Sequence, residues 1–149
     1  MSLSDEEFDK LILNLQEQSF EDARKAFGEK GFDRWRNPKF NGIMDDADGM
    51  ARVTGGCGDT MEIYLKFAGG RVEKASYRTD GCGSSALCGS FTAELAHGRT
   101  ADELLELDPD DVLNTIGTFP DDDKHCATLS ISALQEALND YMIKETNKR

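Results

Sequence analysis

Met61-Glu62-Ile63-Tyr64-Leu65-Lys66-Phe67, followed by Ala68-Gly69-Gly70, decides how this chain folds. Side chains alternate across an extended strand, so Met61, Ile63, Leu65 and Phe67 share one face and Glu62, Tyr64 and Lys66 the other. The glycine pair permits a tight reversal into a second extended run, Arg71 to Thr79. Upstream, Met50 to Thr54 reads as a further short strand. The expectation is a three-stranded antiparallel meander with one apolar face, an arrangement that needs helices on one side only.

Outward from the meander the apolar period becomes helical. Ser84 or Ser85 can open a helix on Leu87, Phe91 and Leu95, with Gly98 where a left-handed C-cap belongs. Thr100 to Glu103 has the form of a capping box, and Asp108-Pro109 starts a short helix through Val112 and Ile116. Pro120 and the run Asp121 to Asp123 break the chain. A last helix is expected from His125 to about Lys144 on Leu129, Ala133, Leu134, Leu138 and Tyr141, with a fraying polar tail.

Ahead of the meander, Ser4 to Glu7 is another capping box, and Phe8, Leu11, Ile12 and Leu15 lie on one helical face to about Gln18. Ser19 reads as the N-cap of a second helix carrying Phe20, Ala23 and Phe27, which Gly28 and Gly31 interrupt. From Phe32 to Gly49 the turn chemistry of Asn37-Pro38, Asn41-Gly42 and Asp45-Asp46 predicts an irregular connection anchored by Phe32, Trp35 and Phe40. The fold class expected is α+β in a single domain. Residues 1–26 form a helical extension ahead of a body over 27–149.

A chain of 149 residues is long enough for one core without staples. It has no apolar run of the roughly 20 residues that span a bilayer, and it opens on no charged-then-apolar leader. The expected location is therefore the cytoplasm, with no membrane partner. There, four cysteines are expected to serve as metal ligands or reactive thiols, not as disulfides. A net charge of -12 argues against a nucleic-acid partner, which needs clustered Lys and Arg, and favours a basic protein or a metal cation.

Three of the cysteines carry the chemistry. Gly55-Gly56-Cys57-Gly58-Asp59 and Gly81-Cys82-Gly83-Ser84 each set a thiol between glycines, which strip bulk from around the sulfur and leave it within reach of another molecule. Lys124-His125-Cys126 adds a third thiol beside an imidazole. Cys82 and Cys126 also fall at helix starts, where unpaired N–H groups favour a thiolate. Should the three loops converge, Cys57, Cys82 and Cys126 make a soft site for zinc or iron with one position open, and Asp59 and His125 are the candidates to fill it. An oxygen or nitrogen ligand holds a thiophilic cluster less firmly than a fourth thiolate, so such a site can build a cluster and release it. Cys88 lies inside a helix and reads as a core thiol.

Asp33-Arg34-Trp35-Arg36-Asn37-Pro38, Gly55 to Asp59, Gly81 to Ser85 and His125-Cys126 together resemble the IscU and NifU N-terminal family of iron-sulfur cluster assembly scaffolds, in the family's order from about Phe27 to Tyr141. The resemblance implies an IscU-like fold and a non-enzymatic scaffold. Such a scaffold takes persulfide sulfur from a cysteine desulfurase, combines it with iron into a labile 2Fe-2S cluster, and passes this to apo-proteins. It further implies Cys57, Cys82 and Cys126 as cluster ligands, Cys126 as first sulfur acceptor, Asp59 as promoter of lability, and His125 as fourth ligand or proton donor. Relatives served by an Hsp70-type chaperone carry Leu-Pro-Pro-Val-Lys before the His-Cys pair, whereas here Thr118 to Lys124 reads Thr-Phe-Pro-Asp-Asp-Asp-Lys, so chaperone-driven release is not implied. Zinc is the expected occupant after handling in air.

Two other functions use the same residues. A zinc-dependent sulfur relay of the SufU type is disfavoured, since those relatives carry a longer insertion between the second and third cysteines and lack the histidine that stands here as His125. A binding module stabilised by zinc would leave Asp59 and the exposed glycine loops without purpose.

Overall fold

The computed structural model describes residues 2–148. A kinked helix α1 (Asp5–Arg36) leads into strands β1 (Gly49–Thr54), β2 (Thr60–Ala68) and β3 (Arg71–Thr79). Helices α2 (Gly83–Ala96), α3 (Ala101–Leu105), α4 (Pro109–Ile116) and α5 (His125–Asn147) follow, with one 3₁₀ turn at Asp121–Asp123 ahead of α5. The strands form an antiparallel sheet in the order β1-β2-β3, as the alternation and the glycine reversal require. Gly69 and Gly70 both have positive φ, 60° and 78°, the pair of values a two-residue hairpin turn of type I′ demands.

The register sets Ala51 and Val53 of β1 beside Ile63 and Met61, and Tyr77 and Ala75 of β3 beside Ile63 and Leu65. That face is fully buried at Met61, Ile63 and Leu65, and α2 and α5 pack on it. The packing is close enough to require glycine at two points. A Cβ at Gly89 would stand 2.5 Å from the Tyr77 ring. One at Gly49 would clash with the Ala137 carbonyl and stand 2.8 Å from Tyr141 Cβ. Leu87, Phe91, Leu129, Ala133, Leu134 and Leu138 complete the core as their spacing predicts.

Helix termini follow their capping chemistry. Ser4, Thr100 and Asp108 each accept from the backbone N–H three residues on, with the reciprocal bond from Glu7, Glu103 and Asp111 in place. Gly98 takes φ 81° just past α2. The front of the chain departs from expectation. Ser19 caps nothing, because α1 runs through it, and the break falls instead at Gly28, with φ 72° and ψ -179°. The second arm, 29–36, then lies back along the first. Phe20 and Trp35 have ring centroids 6.0 Å apart, where a straight helix would separate those residues by roughly 22 Å. Helix therefore extends to Arg36 through ground expected to be irregular, and Phe40 is a partly exposed residue at φ 68°, not a core anchor. At the other end, α5 runs to Asn147 where a frayed tail was expected.

The motif Arg34-Trp35 docks this second arm on α2. Arg34 is buried, donates to Ser90 Oγ at 2.9 Å and to Glu94 Oε1 at 2.6 Å, and lies 4.1 Å from the Phe91 ring centroid. Trp35 then covers Gly83, where a Cβ would come within 3.2 Å of its indole nitrogen. The first arm differs. Phe8, Leu11, Ile12 and Leu15 are 53%, 44%, 47% and 58% exposed, so their apolar stripe has no partner within the described chain. No helix among the described residues is long and apolar enough to cross a membrane.

Candidate functional site

The start of α2 is where the cysteine loops meet. Cys82 is the N-cap residue of that helix, exposed and making no side-chain capping bond. Ser84 and Ser85 do not open the helix. They sit in its first turn with their hydroxyls directed outward, one to each neighbouring loop. Ser84 Oγ donates to Asp123 Oδ2 at 2.8 Å, tying down the segment that leads into α5. Ser85 Oγ lies 2.8 Å from Asp59 Oδ2 and 3.3 Å from Cys126 Sγ, joining the first cysteine loop to the third.

The first loop is shaped by its glycines. Gly55 N–H donates to the Asp59 carbonyl and Gly58 N–H to the Gly55 carbonyl, at 2.9 and 3.0 Å. The first bond needs φ 91° at Gly58, in the left-handed region, to turn Asp59 back toward Gly55. This turn leaves Cys57 exposed at its tip and returns Asp59 toward α2. Asp59 reaches Ser85 only because residue 81 lacks a side chain, since a Cβ at Gly81 would stand 2.7 Å from both the carboxylate and the hydroxyl.

His125 and Cys126 are the first two residues of α5. The imidazole is exposed and borders, with Cys57, a cleft of about 440 Å³ whose walls include Val53, Gly55, Leu129 and Ser132. Cys126 points the other way and is 1% exposed. Burial is the main cause that pushes its thiol above the ordinary range. The sequence expects the α5 terminus to favour a thiolate at Cys126, but desolvation is the larger effect. Nearby charge at Cys82, Asp123 and Asp59 works in the same direction as burial. Cys88 is buried in the core, and desolvation raises its thiol far more.

Cys57, Asp59, Cys82, His125 and Cys126 thus occupy one end of the molecule, linked by Ser85 and by the shared cleft. Among the described residues, however, no three His, Cys, Asp or Glu side chains stand close enough together to hold an ion. Three sulfurs, an imidazole and a carboxylate suit zinc or iron by their chemistry. Sequence reasoning missed the part played by Ser84 and Ser85. Their position directly after Cys82 was the available signal, and it reads equally well as helix capping.

The family model for the NifU-like N terminal domain matches residues 26–148. An iron-sulfur cluster assembly scaffold protein of Archaeoglobus fulgidus, IscU 1, is 36% identical over 119 residues, covering 79% of this chain and 78% of that protein. The crystal structure of the N-terminal part of a nitrogen-fixing NifU-like protein from Brucella abortus shares the fold with a TM-score of 0.63 at 21% identity, over 81% of this chain and 97% of that one. So does the structure of a putative iron-sulfur cluster assembly scaffold for the SUF system from Fervidobacterium islandicum, with a TM-score of 0.57 at 22% identity, over 74% of this chain and 94% of that one.

Proposed function

Because this chain belongs to the family of NifU-like N-terminal domains, we propose that it is a scaffold for iron-sulfur cluster assembly. It receives sulfur as persulfide from a cysteine desulfurase, combines it with iron into a 2Fe-2S cluster, and hands the cluster to apo-proteins. Iron and sulfur are its cargo, not resident cofactors. Cys57, Cys82 and Cys126 hold the cluster, His125 completes the set or supplies a proton, and Asp59 keeps the assembly labile. Sulfur enters when the Cys126 sulfur attacks the outer sulfur of the desulfurase persulfide. The bond between the two persulfide sulfurs breaks, a new one forms on Cys126, and the desulfurase cysteine leaves as thiolate.

The observation that carries this reading is the hydrogen-bonded series from Asp59 through Ser85 to Cys126, with Cys57 and His125 on one adjoining cleft. It accounts for a donor set that is grouped but not closed. A zinc-dependent sulfur relay would use the same thiols, and the retained His125 with the short interval from Cys82 to Cys126 favours the scaffold.

Anaerobic incubation with ferrous iron, cysteine and a desulfurase tests it. The expected result is a visible-absorbing cluster that moves to an apo-ferredoxin. Uptake of one zinc ion with persulfide turnover and no cluster would assign the relay instead.

A further inference from the structure

Ser85 belongs to no donor set, yet its hydroxyl is placed to govern one. The residue is fully buried, with Oγ 2.8 Å from Asp59 Oδ2 and 3.3 Å from Cys126 Sγ. A hydroxyl has a single hydrogen and cannot donate to both neighbours at once. The carboxylate is the nearer and stronger acceptor, so in the metal-free chain the hydrogen goes to Asp59. Cys126 is then left to donate its own S–H to the serine oxygen.

The geometry points to Ser85 as a positioning residue through which Asp59 acts on Cys126. While the carboxylate holds the hydroxyl, a metal-bound Cys126 sulfur lacks its one near donor. When the carboxylate is absent, the hydroxyl turns onto the sulfur and strengthens its hold on the metal. Hydrogen bonds from outside the ligand set fix the orientation of a ligand sulfur, keep it as thiolate in competition with protons and lower the energy of its lone pairs, and losing such a partner typically costs roughly 10–100-fold in metal affinity. The inference rests on Cys126 being a ligand, as proposed above, and adds a reason why a carboxylate next to the sulfurs makes their cargo leave.

Ser84 provides the internal control. It neighbours Ser85, and its hydroxyl makes an equally short bond of 2.8 Å, but to Asp123 and not to a sulfur or to Asp59.

The test is an anaerobic Co²⁺ titration of the full chain, reading both affinity and the sulfur-to-cobalt charge-transfer band. In the Asp59→Ala background, Ser85→Ala is expected to weaken Co²⁺ binding about tenfold and to move the band to longer wavelength. Ser85→Thr in that background keeps the hydroxyl and returns the band. With Asp59 present, Ser85→Ala moves the band less, and Ser84→Ala leaves it in place in either background. Equal band shifts with and without Asp59, or none in either, overturn the inference. So does a folded Ser85→Thr chain that keeps the Ser85→Ala spectrum. A wild-type chain that takes up Co²⁺ without any sulfur-to-cobalt band overturns the ligand assignment itself, a result seen before any serine is changed.

Discussion

The four thiols divide two by two. Cys57 and Cys82 are exposed on glycine loops, while Cys88 and Cys126 are buried in helices. Both buried thiols border the core, but Cys126 also has the Ser85 hydroxyl at 3.3 Å. Exposure suits a sulfur that must meet other molecules. Buried Cys126, proposed above as the first acceptor, meets a persulfide only through local opening of its end of the molecule. The division teaches that a cysteine's place in the sequence, glycine-flanked or helical, sets its accessibility, whereas its chemistry depends on what the tertiary structure brings to it.

The most severe way to break the division is at Cys126. After incubation with a desulfurase and cysteine, Cys126→Ser is expected to abolish persulfide accumulation measured by intact mass, while Cys88→Ala leaves it unchanged. Undiminished persulfide on Cys57 or Cys82 in the Cys126→Ser chain would reassign the first acceptor. Iodoacetamide sharpens the same contrast in metal-free protein. Cys57 and Cys82 should be alkylated at least about a hundredfold faster than Cys88 and Cys126, because the buried pair reacts only through local opening, at a tenfold penalty for each 1.4 kcal/mol or so of opening energy. Comparable rates at all four would mean that the α2–α5 end is open in solution.

Stability against pH separates the buried pair from the exposed pair more gently. Burial raises the folded-state pKa of the Cys88 thiol above its ordinary value of 9.0. The folded chain therefore keeps a proton that the unfolded chain gives up once the pH passes about 9. Below that pH the thiol is protonated in both states and the contribution is constant. Above it, stability falls by up to about 1.4 kcal/mol per pH unit for this group. Cys88→Ala is expected to flatten that decline in urea unfolding between pH 8 and 10, and an unchanged slope would place the sensitivity elsewhere.

Asp59→Ala is expected to lengthen the lifetime of a reconstituted cluster severalfold, followed as decay of visible absorbance in air. Decay at the wild-type rate would remove Asp59 from the release step. The smallest effect belongs to the exposed arm of α1. Leu11→Gln or Ile12→Gln should change unfolding free energy by no more than about 0.5 kcal/mol. A larger loss would show that this stripe is covered in solution.

What was legible in the sequence follows from how local each signal is. The meander was readable from alternation over Met61 to Phe67 and from two glycines, two helix starts from a serine or threonine three residues before a glutamate, and a third from Asp108 directly before Pro109. These are contacts between near neighbours. The helical arm from Glu29 to Arg36 was missed because Gly28 and Gly31 read as interruptions and the chain from Phe32 as the start of the irregular connection. What holds it is Arg34 on Ser90 and Glu94, far along the chain. Likewise the candidate ligands were named from their loops, but Ser85 could not be, because a serine after a cysteine becomes a bridge only when Asp59 and Cys126 arrive on either side of it. The thiol of Cys126 was misjudged for a related reason. A helix terminus is visible in sequence, whereas the burial that outweighs it is not.

Gly49 packs against the middle of α5, at Ala137, roughly 17 Å along the helix axis from Cys126. The missing side chain there acts as a clearance in a machined joint. One added methyl would wedge the rod from its bed, and because the helix is stiff the displacement would reach the sulfur at its first turn. The seat of the proposed sulfur acceptor is thus set in part by a position that contributes a single hydrogen.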